Sequence, residues 1–191
     1  MLVPGPGHGW KDVLSYQKFM FNYHSKLNAT HPFSSTWWQW PLIRKPMWYY
    51  GGSDLAQGRM TSIVAMGNPA VWWVGTIAAI ATFRVAWKRR DNSMTVVLVG
   101  ILAAYLPWVL ISRLTFIYHF FACVPFLVLC IVYWIRRIEE KTPSHRRWTY
   151  LYAATVLLLF GLFYPILSGT EIYVSYADGV LKWFHGWVFH G

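Results

Sequence analysis

The sequence predicts an all-α integral membrane protein, and three observations carry that expectation. Apolar residues fill 56% of the 191 positions and charged residues only 13%, about half the charge of an ordinary soluble domain. The apolar residues gather into four runs, each close to the roughly 20 residues that cross a bilayer as a helix. Aromatic residues reach 19% and cluster beside those runs, where rings with an apolar body and a polar tip favour the headgroup layer.

Residues 1–66 form an external and interfacial segment. No secretory signal pattern follows Met1, and residues 1–9 are too rich in Gly and Pro for a regular element. Between residues 10 and 28, Val13, Tyr16, Met20, Tyr23 and Leu27 recur at three- and four-residue spacing, which predicts an amphipathic helix lying in the membrane interface. Lys11, Asp12, Lys18, His24 and Lys26 occupy the rest of its circumference. Residues 31–50 read HPFSSTWWQWPLIRKPMWYY. Pro32, Pro41 and Pro46 exclude a long helix there, so this is an aromatic and proline-rich external segment. Gly51-Gly52 predicts a turn, and RMTSIVAM at 59–66 fits either a short strand or the approach to the first span.

The membrane region covers 67–168, with spans at about 69–87, 94–111, 115–135 and 148–168. Pro107, Pro125 and Pro165 fall inside spans and are expected to kink them. Lys88, Arg89 and Arg90 follow the first span, and Arg136, Arg137, Lys141, Arg146 and Arg147 follow the third. The 112–114 hairpin holds only Arg113. This asymmetry places both basic loops in the cytoplasm. Residues 1–66, the hairpin and an aromatic tail at 169–191 then face outward, and Arg84 snorkels from its helix. The net charge of +10 is accounted for by these flanks and by anionic lipid. No basic groove or RNA-binding motif points to nucleic acid.

Chemistry-bearing patterns are few. Cys123 and Cys130 lie seven apart in one apolar run, two helical turns that hold their Cα atoms roughly 10 Å apart, beyond disulfide reach. They read as packing residues. The outward-facing acids, Asp12, Asp54, Glu171 and Asp178, form no close pair, so the residues assign no catalytic group. They also show no metal-ligand cluster and no cofactor loop. Two constellations remain. Arg113 with Tyr118 and His119 stands at the outer end of span three. There Arg113 either pairs with a phosphate or merely snorkels, and His119 either binds a ligand or is a satisfied core histidine. The second is the segment from His31 to Tyr50, with Trp40, Arg44 and Lys45. It is either a structural aromatic belt or a platform on which rings stack against a sugar or prenyl chain while Arg44 meets a phosphate.

HPFSSTWWQWPLIRKPMWYY resembles the segment that opens the C-terminal membrane region of protein O-mannosyltransferases. IVAMGNPAVWW (63–73), RLTFIYHFFACVPFL (113–127) and the tail YADGVLKWFHGWVF (176–189) resemble later stretches of the same region, in order. Ala122-Cys123 departs from the pattern, which leads one to expect a proline there. The resemblance implies a membrane-embedded, inverting GT-C glycosyltransferase. Such an enzyme moves mannose from a polyprenyl- or dolichyl-phosphate carrier to Ser or Thr of a secreted protein. It implies a lipid-phosphate site drawn from Arg113, His119, Tyr118, Arg44, His31 and Trp40. The family's catalytic acids lie in a first external loop upstream of the region matched here. The chain is therefore expected to be incomplete and inactive alone, with the N-terminal part as a possible separate partner chain. A GT-C transferase of another sugar or acceptor, or a non-catalytic accessory subunit, stands as the alternative. The implied location is multi-pass in the cell membrane of a bacterium or the endoplasmic reticulum membrane of a eukaryote.

Overall fold

The computed structural model describes residues 9–26, 30–53, 55–89, 92–111 and 113–190. Leu27, Asp54 and Arg90, used above, lie outside them. Helix α1 (Trp10–Lys26) forms where the three- and four-residue spacing predicts it. Asp12 closes its first turn by accepting a hydrogen bond from Gly9 N at 2.9 Å. Trp10, Leu14, Phe19 and Phe21 remain exposed, so its apolar side is not used in packing this chain together.

Four helical segments are long and apolar enough to cross a membrane. They are α2 (Pro69–Arg89), α3 (Asn92–Val109), a two-part third segment, and α5 (Arg146–Ser168). Three of the four match the sequence expectation within about two residues. The third differs. Residues Ile117–Cys123 form a tight 3-10 helix, and α4 proper runs Val124–Lys141, six residues past the expected end. Pro125 therefore lies in the first turn of α4, where its missing N–H removes no helical hydrogen bond. It starts a helix where the sequence led us to expect a kink. Arg136, Arg137 and Lys141 likewise belong to the last turns of α4, and only residues 142–145 separate that helix from α5.

Small residues let the helices approach. A Cβ on Gly75 would come within 2.8 Å of Leu127 Cβ, and one on Gly100 within 2.4 Å of the Phe126 ring. Ala78, Ala86, Leu98, Cys130 and Ile131 fill the seam between α2, α3 and α4. Such small-residue contacts are how helices associate where lipid offers no hydrophobic drive. The Trp134 indole donates to Thr82 Oγ1 at 3.0 Å and reaches Ala78 O at 3.2 Å, which satisfies a donor away from water. Val96, Val99, Leu157 and Leu158 point outward and exposed, as lipid-facing positions do.

The larger core sits at the other end, where the aromatic segment, the 3-10 helix and the tail meet α2 and α5. Residues 59–66 resolve as strands. β1 (Met47–Gly51) pairs antiparallel with β3 (Ser62–Ala65), and β2 (Arg59–Met60) pairs with β4 (Ile172–Tyr173). The second pairing ties the tail to the loop before the first span. Gly169 closes α5 at φ +76°, the left-handed position glycine takes without strain. The tail then returns through a helical turn (Val174–Tyr176) and buries Ala177, Leu181, Trp187 and Phe189.

The loop charges predict the orientation, which thiol labelling checks. A cysteine at Ser34 or Ser175 should react with an impermeant reagent in intact cells, and one at Ser93 or Ser144 should not. The reverse pattern, or labelling of all four, would overturn the orientation or the four-span topology.

Candidate functional site

The residues singled out in the sequence fall into two places. Trp40, Tyr118, His119 and His31 belong to a stacked aromatic layer. Ser35 anchors it: its N–H donates to Thr115 O at 2.9 Å and its carbonyl accepts from Thr115 Oγ1 at 2.7 Å. Trp40 is fully buried, its indole donating to Ser35 Oγ at 3.0 Å. Its ring stacks on His119 at 5.7 Å between centroids, and Trp108 packs against both, 3.9 Å from His119 and 6.1 Å from Trp40. The His119 Nδ1 lies 2.8 Å from Phe116 O and 3.2 Å from Phe116 N, so that edge is turned onto its own backbone. Tyr118 stacks on Tyr49 at 6.3 Å. Burial, and then the Tyr118 phenol, push the Tyr49 hydroxyl above its ordinary range. His31 packs edge-on against Phe116 and accepts from Phe33 N through Nδ1.

Arg113 stands four residues before the 3-10 helix that carries His119. Helical spacing alone would hold residues six apart on different faces. Residues 113–116 are not helical, so that constraint does not apply to this pair.

Arg44 lies elsewhere. With Lys45, Gln39 and Leu42 it lines a cleft of about 730 Å³, to which Trp73 of α2 and Phe184, His185 and Gly186 of the tail also contribute. The Arg44 guanidinium lies 5.5 Å from the Trp38 ring centroid, a cation–π distance. Among the described residues neither Arg44 nor Lys45 forms an ion pair. The cleft is thus cationic, aromatic and open, a combination suited to a phosphate carrying an apolar or sugar substituent.

Two smaller hollows are less suited to an anion. One of about 350 Å³ beside Trp48 and Thr61 contains Arg59 and His190, but Arg59 is matched by Glu171 at 3.6 Å and His190 by Asp178 at 3.1 Å. The other, about 210 Å³ between α4 and α5, contains the Glu139 carboxylate.

Sequence reading passed over Trp73, Phe184 and His185. His185 and Gly186 of the tail line the cleft beside the Arg44 segment. Only the return of the tail across 140 residues reveals it, and no local periodicity encodes that.

Four span-length helices capped at one end by a buried aromatic layer define an integral, multi-pass membrane protein. The chain belongs to the protein O-mannosyltransferase family: residues 9–187 match the family model described as the C-terminal four TMM region of protein-O-mannosyltransferase. A polyprenol-phosphate-mannose–protein mannosyltransferase of Mycolicibacterium smegmatis is 33% identical over 180 residues, covering 85% of this chain and 35% of the relative. One from Corynebacterium glutamicum is 26% identical, covering 97% and 38%. The chain therefore spans little more than a third of the length of these relatives. The solved Pmt1-Pmt2 complex of Saccharomyces cerevisiae, bound to the sugar donor, shares the fold with a TM-score of 0.77 at 19% identity, over 95% of this chain and 27% of that one.

Proposed function

We propose that the chain is the C-terminal membrane part of an enzyme that transfers mannose from a polyprenyl- or dolichyl-phosphate carrier to Ser or Thr of secreted proteins, and that the Arg44 cleft receives the donor's phosphate. The observation that carries the reading is the convergence of Arg44, Lys45 and His185 in one aromatic-walled cleft. As the sugar leaves, negative charge develops on the phosphate, and preorganised cations lower that barrier. Arg44 offers a planar fork for two phosphate oxygens and Lys45 a point charge. Trp73 and Phe184 offer faces for the sugar or the first isoprene unit. The acceptor hydroxyl needs a general base, which this reading assigns to the family's first external loop, outside this chain. The bacterial relatives favour a cell membrane as its location.

A second reading places the phosphate at Arg113, supported by its position just before the 3-10 helix that carries His119. The two separate in a titration of detergent-solubilised protein with polyprenyl phosphate. Arg44→Ala should weaken binding roughly ten- to a hundredfold, the size of one charge-assisted contact. Arg44→Lys should recover part of it, since the charge stays and the fork is lost. Loss on Arg113→Ala with Arg44→Ala unaffected would move the phosphate to the His119 layer. Full affinity in both variants would remove donor binding from this region altogether.

A further inference from the structure

Ile43, immediately before Arg44, has a φ of +50° and is fully buried. A β-branched side chain in the left-handed region is a genuine backbone outlier, and such strain persists only where surrounding contacts impose it. Those contacts can be named. On the segment's own side, Ile43 N donates to Trp40 O at 2.9 Å and Arg44 N to Gln39 O at 3.0 Å. From the tail, the Trp187 indole N–H donates to Ile43 O at 2.6 Å across 144 positions of sequence. Trp187 is fully buried, held by Phe163 at 5.7 Å and stacked on Trp183 at 5.6 Å. Next to it, Gly186 passes so close that a Cβ there would lie 2.5 Å from Arg44 O. Both carbonyls of the strained turn therefore rest against the tail.

We infer that Gly186 and Trp187 are positioning residues for the cleft: the tail clamps the Ile43–Arg44 turn in its strained conformation, and so aims Arg44 into the cleft that His185 also lines. This rests on the reading of the cleft as the phosphate site. Trp187 touches the backbone of the turn and does not line the cleft. Its removal lets the turn relax to an ordinary conformation and swings the Arg44 side chain away, while the charge itself remains in the protein.

The test is a double-mutant cycle on polyprenyl phosphate binding, with thermal unfolding measured on every variant. Trp187→Phe keeps the buried ring and removes the N–H. Gly186→Ala keeps Trp187 and pushes on Arg44 O. Each should lower affinity by about tenfold. Arg44→Ala combined with Trp187→Phe should bind no more weakly than Arg44→Ala alone, because both act through one side chain. Phe189→Leu, in the same buried cluster but with no side-chain hydrogen bond to the turn, should lower thermal stability and leave affinity unchanged. If Trp187→Phe fails to fold, Gly186→Ala and its own cycle with Arg44→Ala decide. Losses that add to that of Arg44→Ala, or affinity that follows thermal stability through Phe189→Leu as well, would overturn the clamp and leave the cleft standing. Wild-type affinity for Arg44→Ala itself would instead overturn the cleft reading. Inorganic phosphate, run as a competitor, separates recognition of the anion from recognition of the lipid chain: competition lost in parallel in Trp187→Phe supports the clamp, and competition unchanged there counts against it.

Discussion

Gly67→Ala should sharply lower the stability of the membrane region. Gly67 packs flat against the Trp72 indole, and a Cβ there would lie 1.8 Å from Cε2 and 2.1 Å from Cδ2 and Nε1. The body of the ring would be struck, so no flexible tip can yield. The ring cannot retreat, because Trp72 is 2% exposed and meets Phe120 at 4.9 Å and Phe121 at 5.6 Å edge-on. The backbone cannot yield cheaply either. The next residue, Asn68, caps α2 by accepting from Ala70 N at 3.0 Å, and its Nδ2 donates to Val156 O of α5 at 2.9 Å. Overpacking of a tight core costs about 1–3 kcal/mol and at times more, and losing the cap adds about 1 kcal/mol. Gly161→Ala is the control. It lies in α5 with nothing within 4 Å of the added methyl, and alanine favours a helix interior by up to about 1 kcal/mol. Thermal unfolding in detergent should therefore fall sharply for Gly67→Ala and hold or rise for Gly161→Ala. Equal unfolding temperatures would show that the Gly67–Trp72 contact does not constrain the fold.

Trp40→Ala should cost about 3–5 kcal/mol, the usual loss for truncating a buried large aromatic. Trp40 joins three parts of the chain. Its indole bonds Ser35 of its own segment, its ring meets Tyr105 at 6.3 Å and Trp108 at 6.1 Å on α3, and it stacks on His119 of the 3-10 helix. Removing it leaves the Ser35 hydroxyl without its indole donor and opens a void beneath His119. Trp40→Phe keeps most of the ring area and should lose only the hydrogen bond, about 1–3 kcal/mol if Ser35 stays buried and unpaired. The measurement is unfolding of both variants in parallel with polyprenyl phosphate titration. A Trp40→Ala protein of wild-type stability that no longer binds the lipid would make Trp40 a ligand contact after all. The geometry favours the stability effect, since the ring is wholly enclosed by protein.

The helices were legible because each is specified locally. Hydrophobic runs at 69–87, 94–111 and 148–168 need no partner to be recognised as span-length, and their ends moved by about two residues in the structure. The third span was misread in part because composition carries length and apolarity, not hydrogen-bond pattern. TFIYHFFAC is as apolar as a helix, yet Phe116, His119 and the chain before them are held by Ser35 and the aromatic layer, which impose a 3-10 path. The paired strands were left undecided for a similar reason. Two-residue strands such as Arg59–Met60 exist only through their partners, here Ile172–Tyr173.

The site was half legible. Arg44 and Lys45 stand out as paired cations within an aromatic, proline-broken segment, and Arg113 as a lone cation at a span end. That they serve different places could not be read from spacing. Arg113 precedes the 3-10 helix of the aromatic layer, whereas Arg44 shares a cleft with His185 only because the tail folds back.

Composition and apolar run length thus determine that this protein is a four-span membrane protein, because the bilayer acts on each segment by itself and rewards twenty apolar residues wherever they occur. The resemblance carried by its motifs also lies in the sequence. The tertiary structure alone decides which cations share a cleft, which contacts surround the positive φ of Ile43, and where the tail packs. These depend on contacts between positions up to 144 apart, whose energy appears only once the loops between them have closed.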